Sequence, residues 1–431
     1  MEYLKRRLEG EVEKWLDRRE IIAIKGPRQS GKTTLLKILK EYLETKRKVD
    51  PKTIIYLNFE DRDILENFSK DPKSYVKSFI ADKADQKFYF LIDEFQYLED
   101  GGQKIKLLYD IYENIKFIIT GSSSLELTAA CAKYLVGRLF SFHLYQFSFA
   151  EFLQTKEQNI FNNYLEESSK LKNFILNSAD LEIRGSIYEK ELRQYFEDYA
   201  TFGGYPEVVK ASNTETKKII LKNIYDTYIS KDIIELLHIG DISDFRTILK
   251  LLSNQIGGLL NYHSLTTDSK SYFKRTKKWL NILEETFVIR QIRPYFKNKT
   301  TELKKNPKIY FSDTGLRNYI INNFNTFDIR SDAGLLVENT IFNQIYPQVE
   351  SIRYWRTLGK AEVDFILELN NNKILPVEIK FSNLNSPEIT KSFRNFIEAY
   401  QPDKALILTV GYQKKIKINK STVLFYPCWY M

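Results

Sequence analysis

Residues 26–33 read Gly26-Pro27-Arg28-Gln29-Ser30-Gly31-Lys32-Thr33, and Thr34 follows. The octapeptide fits G-x-x-x-x-G-K-[ST], a phosphate-binding loop. The apolar run Ile21-Ile22-Ala23-Ile24 before it predicts a buried strand, and Leu35, Leu36, Ile38 and Leu39 after it predict a helix. A strand that breaks into a helix leaves several backbone N–H groups aimed at one point, where an anion is stabilised. Gly26 and Gly31 let the backbone approach closely. Lys32 supplies positive charge for the terminal phosphates of ATP, and the Thr33 hydroxyl a ligand for Mg2+. Gly26 to Thr34 are the expected nucleotide cradle.

Further along, Phe88-Tyr89-Phe90-Leu91-Ile92 runs into Asp93-Glu94. Ligands of open α/β sheets sit outside the carboxyl ends of the strands. Asp93 is therefore expected to hold Mg2+ through water, and Glu94 to polarise the water that attacks the γ-phosphate. Thr53 to Asn58 predicts another strand; the acidic pair Glu60-Asp61 after it faces the nucleotide or, more simply, caps the next helix. Ile115 to Thr120 predicts a further buried strand whose polar tip, Thr120 or Ser122, can sense the γ-phosphate. An added strand here is typical of catalytic-glutamate ATPases, and Glu94 argues against a simple nucleotide kinase. Arg138 precedes a strand over 139–145. It reads either as an arginine finger on a neighbour's phosphate, which implies a homo-oligomer, or as a surface arginine.

Residues 151–238 are polar and helix-patterned, as expected of a helical lid over the nucleotide, with a loop in the Asn/Ser/Glu-rich stretch 159–172. Residues 239–325 predict three helices and a β-hairpin, the winged-helix layout. The third helix has an apolar face of Phe273, Thr276, Leu280 and Leu283, and a basic face of Lys274, Arg275, Lys277 and Lys278. That face suits a major groove, and the basic loop from Lys297 to Lys308 suits phosphate. Residues 326–431 alternate strands and helices. Glu338 stands on a helix, Asp364 in the strand Glu362 to Leu367, and Glu378 and Lys380 in the strand Pro376 to Lys380. The period of two puts Glu378 and Lys380 on one face, and a turn at 370–372 brings Asp364 alongside. This is the layout of restriction-type nucleases, in which Glu338, Asp364 and Glu378 bind Mg2+ and Lys380 orients water or steadies the developing charge. Trp355 and Arg356 either touch a nucleic-acid strand or pack on the hairpin.

Taken in order, several segments resemble a large group of prokaryotic AAA-type ATPases. They are Gly26 to Thr33, Asp93-Glu94-Phe95-Gln96, Thr120-Gly121-Ser122-Ser123, Gly137-Arg138, Phe147 to Phe152, Gly203-Gly204-Tyr205-Pro206-Glu207, Ser312-Asp313-Thr314-Gly315-Leu316 and Glu362-Val363-Asp364-Phe365. In that group the ATPase is followed by a C-terminal domain of unknown function, here resembling a PD-(D/E)xK nuclease fold. The resemblance implies an α/β multidomain chain: a P-loop ATPase over residues 1–150 with a parallel sheet and flanking helices, the lid, the winged helix and the nuclease-like domain.

The bulk numbers agree. A chain of 431 residues with 43% hydrophobic content predicts several globular cores. Lys+Arg of 65 against Asp+Glu of 56 gives +9, which favours an anionic partner such as duplex DNA. Cys131 and Cys428 are too few for a disulfide framework or a zinc site. No apolar segment follows the N-terminal charges, and no run reaches the ~20 residues of a membrane span, so a cytoplasmic protein is expected. Two functions remain: an ATP-hydrolysing protein acting on DNA, or a nucleotide-gated switch whose C-terminal domain binds a partner without cleaving.

Overall fold

The structure, a computed structural model, describes residues 3–80, 86–121, 134–176, 181, 183, 185–233, 241–296, 305–369 and 373–431. The chain forms two compact units, residues 1–147 with 285–287, and residues 148–284 with 288–431.

The first unit is built on five parallel strands: β1 (Ile21–Lys25), β2 (Ile54–Asn58), β3 (Phe88–Asp93), β4 (Ile115–Gly121) and β5 (Leu139–His143). Their order is β2-β3-β4-β1-β5. Thus β4 lies between the strand that enters the phosphate loop and the strand that ends in Asp93. Every residue of β1, β3 and β4 is buried, because helices cover both faces of the sheet. Alternation sorts the side chains. Ile21, Ala23, Phe90, Ile92, Phe117 and Ile119 enter one core; Ile22, Ile24, Leu91 and Ile118 enter the other, against Leu35, Leu36 and Leu39 of the helix Lys32–Thr45. The amphipathic pattern of residues 1–20 predicts a helix running almost to β1, and the observed helix is shorter. It spans Arg7–Glu13, buries Leu8 and Val12, and gives way to turns before β1.

In the second unit the helix Gln158–Leu176 runs unbroken through the expected loop. Its buried residues Ile160, Tyr164, Glu167, Leu171 and Phe174 keep helical spacing, which outweighs the local Asn/Ser content. The segment read as a lid belongs to this unit and makes buried contacts within it. Phe149 N–H donates to Gln344 Oε1 (2.9 Å), Gln344 Nε2 to the Tyr199 hydroxyl (3.0 Å), and the Tyr426 hydroxyl to Glu167 Oε2 (2.6 Å).

Three helices, Ile242–Asn254, Tyr262–Asp268 and Phe273–Glu285, precede the antiparallel pair β6 (Ile289–Ile292) and β7 (Lys308–Phe311). The third helix buries Thr276, Trp279, Leu280 and Leu283. Phe273, expected in that face, is 58% exposed, since it opens the helix beyond the reach of the core. Most of the basic stretch, 297–304, lies outside the described residues. Lys308, its last lysine, is buried at the start of β7.

The helix Ala333–Ile345 then leads into a six-stranded mixed sheet of β8 (Ser351–Arg356), β9 (Glu362–Leu369), β10 (Lys373–Lys380), β11 (Lys404–Thr409), β12 (Lys414–Ile418) and β13 (Ser421–Pro427), ordered β12-β13-β11-β10-β9-β8. β8, β9 and β10 form an antiparallel meander. The helix Lys391–Tyr400 crosses to β11, which is parallel to β10. The expected turn at 370–372 lies outside the described residues, but Leu369 pairs with Lys373 across it. Trp355 packs on Phe396 (5.3 Å between centroids), and Arg356 pairs with Glu362, so both serve the domain's own packing.

Candidate nucleotide site and the C-terminal acidic cluster

At the end of β1 the chain turns through Gly26, where a Cβ would stand 2.1 Å from the Leu144 carbonyl oxygen, so only glycine fits. Gln29 (φ +60°) and Gly31 (φ +96°) adopt left-handed backbone, and the helix Lys32–Thr45 starts from Gly31 without a side-chain cap. Its first N–H groups thus face the loop, as an anion site requires. Ser30 Oγ is buried with no hydrogen-bond partner. A residue the sequence reading missed fixes the loop: Arg6 donates to Ser30 O (2.8 Å) and to Tyr145 O (2.7 Å) beyond β5. Nothing local marks Arg6, whose partners lie 24 and 139 residues away.

The Lys32 ammonium donates to Gly26 O (3.1 Å) and Pro27 O (3.0 Å). Burial lowers its pKa, against the opposing pull of Glu94 and Asp93. Thr33 and Thr34 are half-buried in the first helical turn. Arg28 pairs with Glu60 (3.4 Å), and Asp61 caps the helix Arg62–Lys70.

Asp93, at the tip of β3, is 2% exposed. Tyr56 donates its hydroxyl to Asp93 Oδ2 (3.0 Å), and the Thr120 hydroxyl donates to Oδ1. Thr120 Oγ1 in turn accepts from Glu94 N–H (3.2 Å). Thr120 therefore ties both acidic residues to β4; Ser122 lies outside the described residues. Tyr56 was missed by sequence reasoning. Burial, and then Asp93, raise its pKa. Glu94 itself has φ +52°, ψ +47°, and its carboxylate accepts from the Gln96 amide. The Thr33 hydroxyl and Asp93 are hard oxygen donors of the kind Mg2+ takes beside phosphate oxygens. The loop, its orphaned Ser30 hydroxyl and this donor set fit ATP with Mg2+. Arg138 stands just before β5, its Nε 3.3 Å from Asp110 Oδ1 and its guanidinium over the Tyr109 ring.

In the second unit, Val377 of β10 pairs with Phe365 of β9, which sets Asp364 and Glu378 at the same level. Asp364 Oδ2 accepts from Ile379 N–H (2.8 Å), and Glu378 Oε1 from the Thr390 hydroxyl (2.9 Å). Glu378 Oε2 is buried without a partner. Lys380 is half-buried at the end of β10. The sequence reading missed three members of the cluster, Lys308, Tyr310 and Glu362. Lys308 of β7 points its ammonium at Glu338 Oε1 (3.2 Å) and Glu362 Oε1 (2.6 Å), and Glu338 Oε1 also accepts from the Tyr310 hydroxyl (2.5 Å). Burial alone would lower the pKa of Lys308, but Glu338, Asp364 and Glu362 outweigh it and raise it. Burial, then Glu338, hold Asp364 well above the usual carboxylate range despite Lys308. Burial also raises Glu378, against Thr390 and Lys380. Among the described residues no three His, Cys, Asp or Glu side chains come together as a metal-holding group. Of the three residues expected to bind Mg2+, Glu338 pairs with the Lys308 ammonium, Asp364 accepts from a backbone N–H and Glu378 from Thr390.

Two further motifs explain each other. Gly204 N–H and Leu316 N–H each donate to the buried Asp313 carboxylate at 2.8 Å. A Cβ on Gly203 would lie 2.3 Å from that carboxylate, and one on Gly315 1.9 Å from Phe202 O. The pair is thus a close backbone docking. On the basic helix, Arg275 is held by Asp244 (3.0 Å) and Asp241, whereas Lys274, Lys277 and Lys278 are exposed.

The strand order, the loop and the acidic strand tip define an AAA-type P-loop ATPase domain, and residues 18–153 match the AAA domain family. Residues 193–326 and 333–430 match two domains of unknown function, DUF8612 and DUF4143. The chain is similar to an uncharacterized protein of Haemophilus influenzae, 27% identical over 95% of this chain and 94% of that one. It is also similar to the uncharacterized protein MJ1544 of Methanocaldococcus jannaschii, 23% identical over 91% of this chain and 82% of that one. Among solved structures, the Walker-type ATPase of Pyrococcus abyssi aligns with a TM-score of 0.45 at 15% identity, over 74% of this chain and 96% of that one. No helix among the described residues is long and apolar enough to cross a membrane.

Proposed function

We propose that the chain binds and hydrolyses ATP with Mg2+ at the P-loop and acts on duplex DNA through its second unit. One observation carries the first part: the β1 loop, shaped by Gly26 and Gly31, together with Asp93 and Glu94 at the tip of β3, one strand removed across β4. Gly26 to Thr34 cradle the phosphates, Lys32 leaves its carbonyls for the β- and γ-phosphates, and Thr33 and Asp93 hold the ion. Glu94 orients the attacking water while Thr120 holds the acidic tip in place. Arg138 is the candidate arginine finger, for which a phosphate would have to displace Asp110.

The DNA part rests on the three helices and hairpin of residues 242–311, a winged-helix layout, with Lys274, Lys277 and Lys278 on an exposed face. The helix–meander–helix–strand order of residues 333–409 supports a nuclease-like fold. Lys308 among its carboxylates favours the second reading for this domain, binding without cleavage. The test is phosphate release and calorimetric ATP binding by the full chain, with and without duplex DNA. Lys32→Ala should lose ATP affinity and turnover. Unchanged affinity in that variant would remove the loop from the nucleotide site, and turnover indifferent to duplex would remove the DNA reading.

A further inference from the structure

A divalent ion in a nuclease-like site needs two or three carboxylate oxygens facing one point with no other cation there. The second unit presents the carboxylates. Glu338 comes from the helix Ala333–Ile345, Glu362 and Asp364 from β9, and Glu378 from β10. Against two of them, Glu338 and Glu362, sits an ammonium. Lys308 is 1% exposed, lies 2.6 Å from Glu362 and 3.2 Å from Glu338, and comes from β7, outside the sheet. Its backbone is fixed by pairing with Ile292 of β6 and by a bridge to Leu259. Glu362 is bound a second time by Arg356.

We propose that Lys308 takes the place of a divalent cation in this cluster, which leaves the site closed to metal and makes the C-terminal domain a binding module without metal-dependent cleavage. The ammonium neutralises carboxylates that repel one another, as a metal would. It offers no open coordination position and activates no water. It also welds β7, which belongs to the segment matching one domain of unknown function, to the helix and sheet of the next. Removing one partner of such a buried pair leaves an uncompensated charge, so the lysine is held firmly. The inference rests on the nuclease-like reading of the C-terminal sheet and not on ATP hydrolysis.

Manganese, a hard paramagnetic stand-in for magnesium, tests it in the full-length, nucleotide-free protein by calorimetry and electron paramagnetic resonance. The wild type should take up no ion that Glu378→Gln abolishes. Lys308→Met should gain one saturable manganese site, lost again when Glu378→Gln is added, while Lys308→Arg should stay closed. Saturable uptake by the wild type that disappears in Glu378→Gln overturns the proposal. So does a folded Lys308→Met variant that binds no ion, or metal-dependent plasmid cleavage by the wild type that Glu378→Gln removes. If Lys308→Met fails to fold, the wild-type titration and the plasmid assay decide alone. Phosphate release, followed in parallel, reports on the P-loop only.

Discussion

Glu94 sits at φ +52°, in left-handed backbone that L-residues avoid, at the tip of a fully buried strand. That conformation costs roughly 1–2 kcal/mol for a residue with a Cβ. Strain of this kind persists where the surroundings over-determine it, often for function. Two substitutions separate the strain from the chemistry. Glu94→Gln keeps the backbone and the size of the side chain and removes the charge proposed to polarise water. Glu94→Gly removes the side chain and relieves the strain, less roughly 0.5–1 kcal/mol for the extra freedom of glycine in the unfolded chain. The glycine variant should therefore be between equally stable and about 1.5 kcal/mol more stable than wild type. Both variants should bind ATP and turn it over roughly 10²–10⁴-fold more slowly, the usual worth of a general base. Urea unfolding of nucleotide-free protein gives the first quantity, single-turnover phosphate release the second. A glycine variant clearly less stable than wild type would show that the backbone is not strained for function. Wild-type turnover in Glu94→Gln would take this residue out of the chemistry.

Asp313 is buried, and burial raises its pKa from 3.8 to about 6, although the N–H groups of Leu316 and Gly204 oppose the rise. Between these values the folded state holds a proton the unfolded chain has released. This contribution is present below the unfolded value and is lost as pH climbs through about 6, about 3 kcal/mol in all. Asp313→Asn should flatten the fall in stability across that window in urea melts; an identical slope in both proteins would contradict it. On the basic helix, Lys274→Glu, Lys277→Glu and Lys278→Glu together should weaken duplex binding and lessen its salt dependence by about 0.9 for each phosphate no longer neutralised. Arg275 is left intact because it holds Asp241 and Asp244, and a gel shift unaltered at every salt concentration would exclude this face.

What was legible in the sequence is what is local. The phosphate loop, its strand and its helix lie within 25 consecutive residues, Ile21 to Thr45, so each signal reinforces the next. The position of β4 between β1 and β3 is a matter of pairing, and periodicity carries no information about which strands pair. The residues that hold the site together were invisible for the same reason. Tyr56 reaches Asp93 across 37 positions and Arg6 reaches Tyr145 across 139. Arg275 reads as a free cation on a helical wheel, yet its acidic partners lie on another helix and its flank. Gly203-Gly204 and Ser312-Asp313-Thr314-Gly315 stood out as motifs, but their reason exists only where the two backbones meet. Lys308 was hidden because it ends a run of lysines, where composition suggests solvent and the fold supplies Glu338, Asp364 and Glu362.

Lys32 and Lys308 show how environment decides what a buried ammonium does. Both are almost wholly buried, and both are satisfied by oxygen. Lys32 meets two neutral carbonyls, and burial lowers its pKa, so its charge is under-compensated. A polyphosphate arriving there supplies the missing anion, and the carbonyl bonds it replaces are the weaker kind, about half the strength of bonds to a charged acceptor. Lys308 meets carboxylates that raise its pKa, so its charge is over-compensated. A magnesium ion arriving there would have to expel a cation that its partners hold at a cost of about 3–5 kcal/mol to uncover. Desolvation acts on both lysines alike; the sign of the neighbouring charge leaves the first open to an anion and the second closed to a metal.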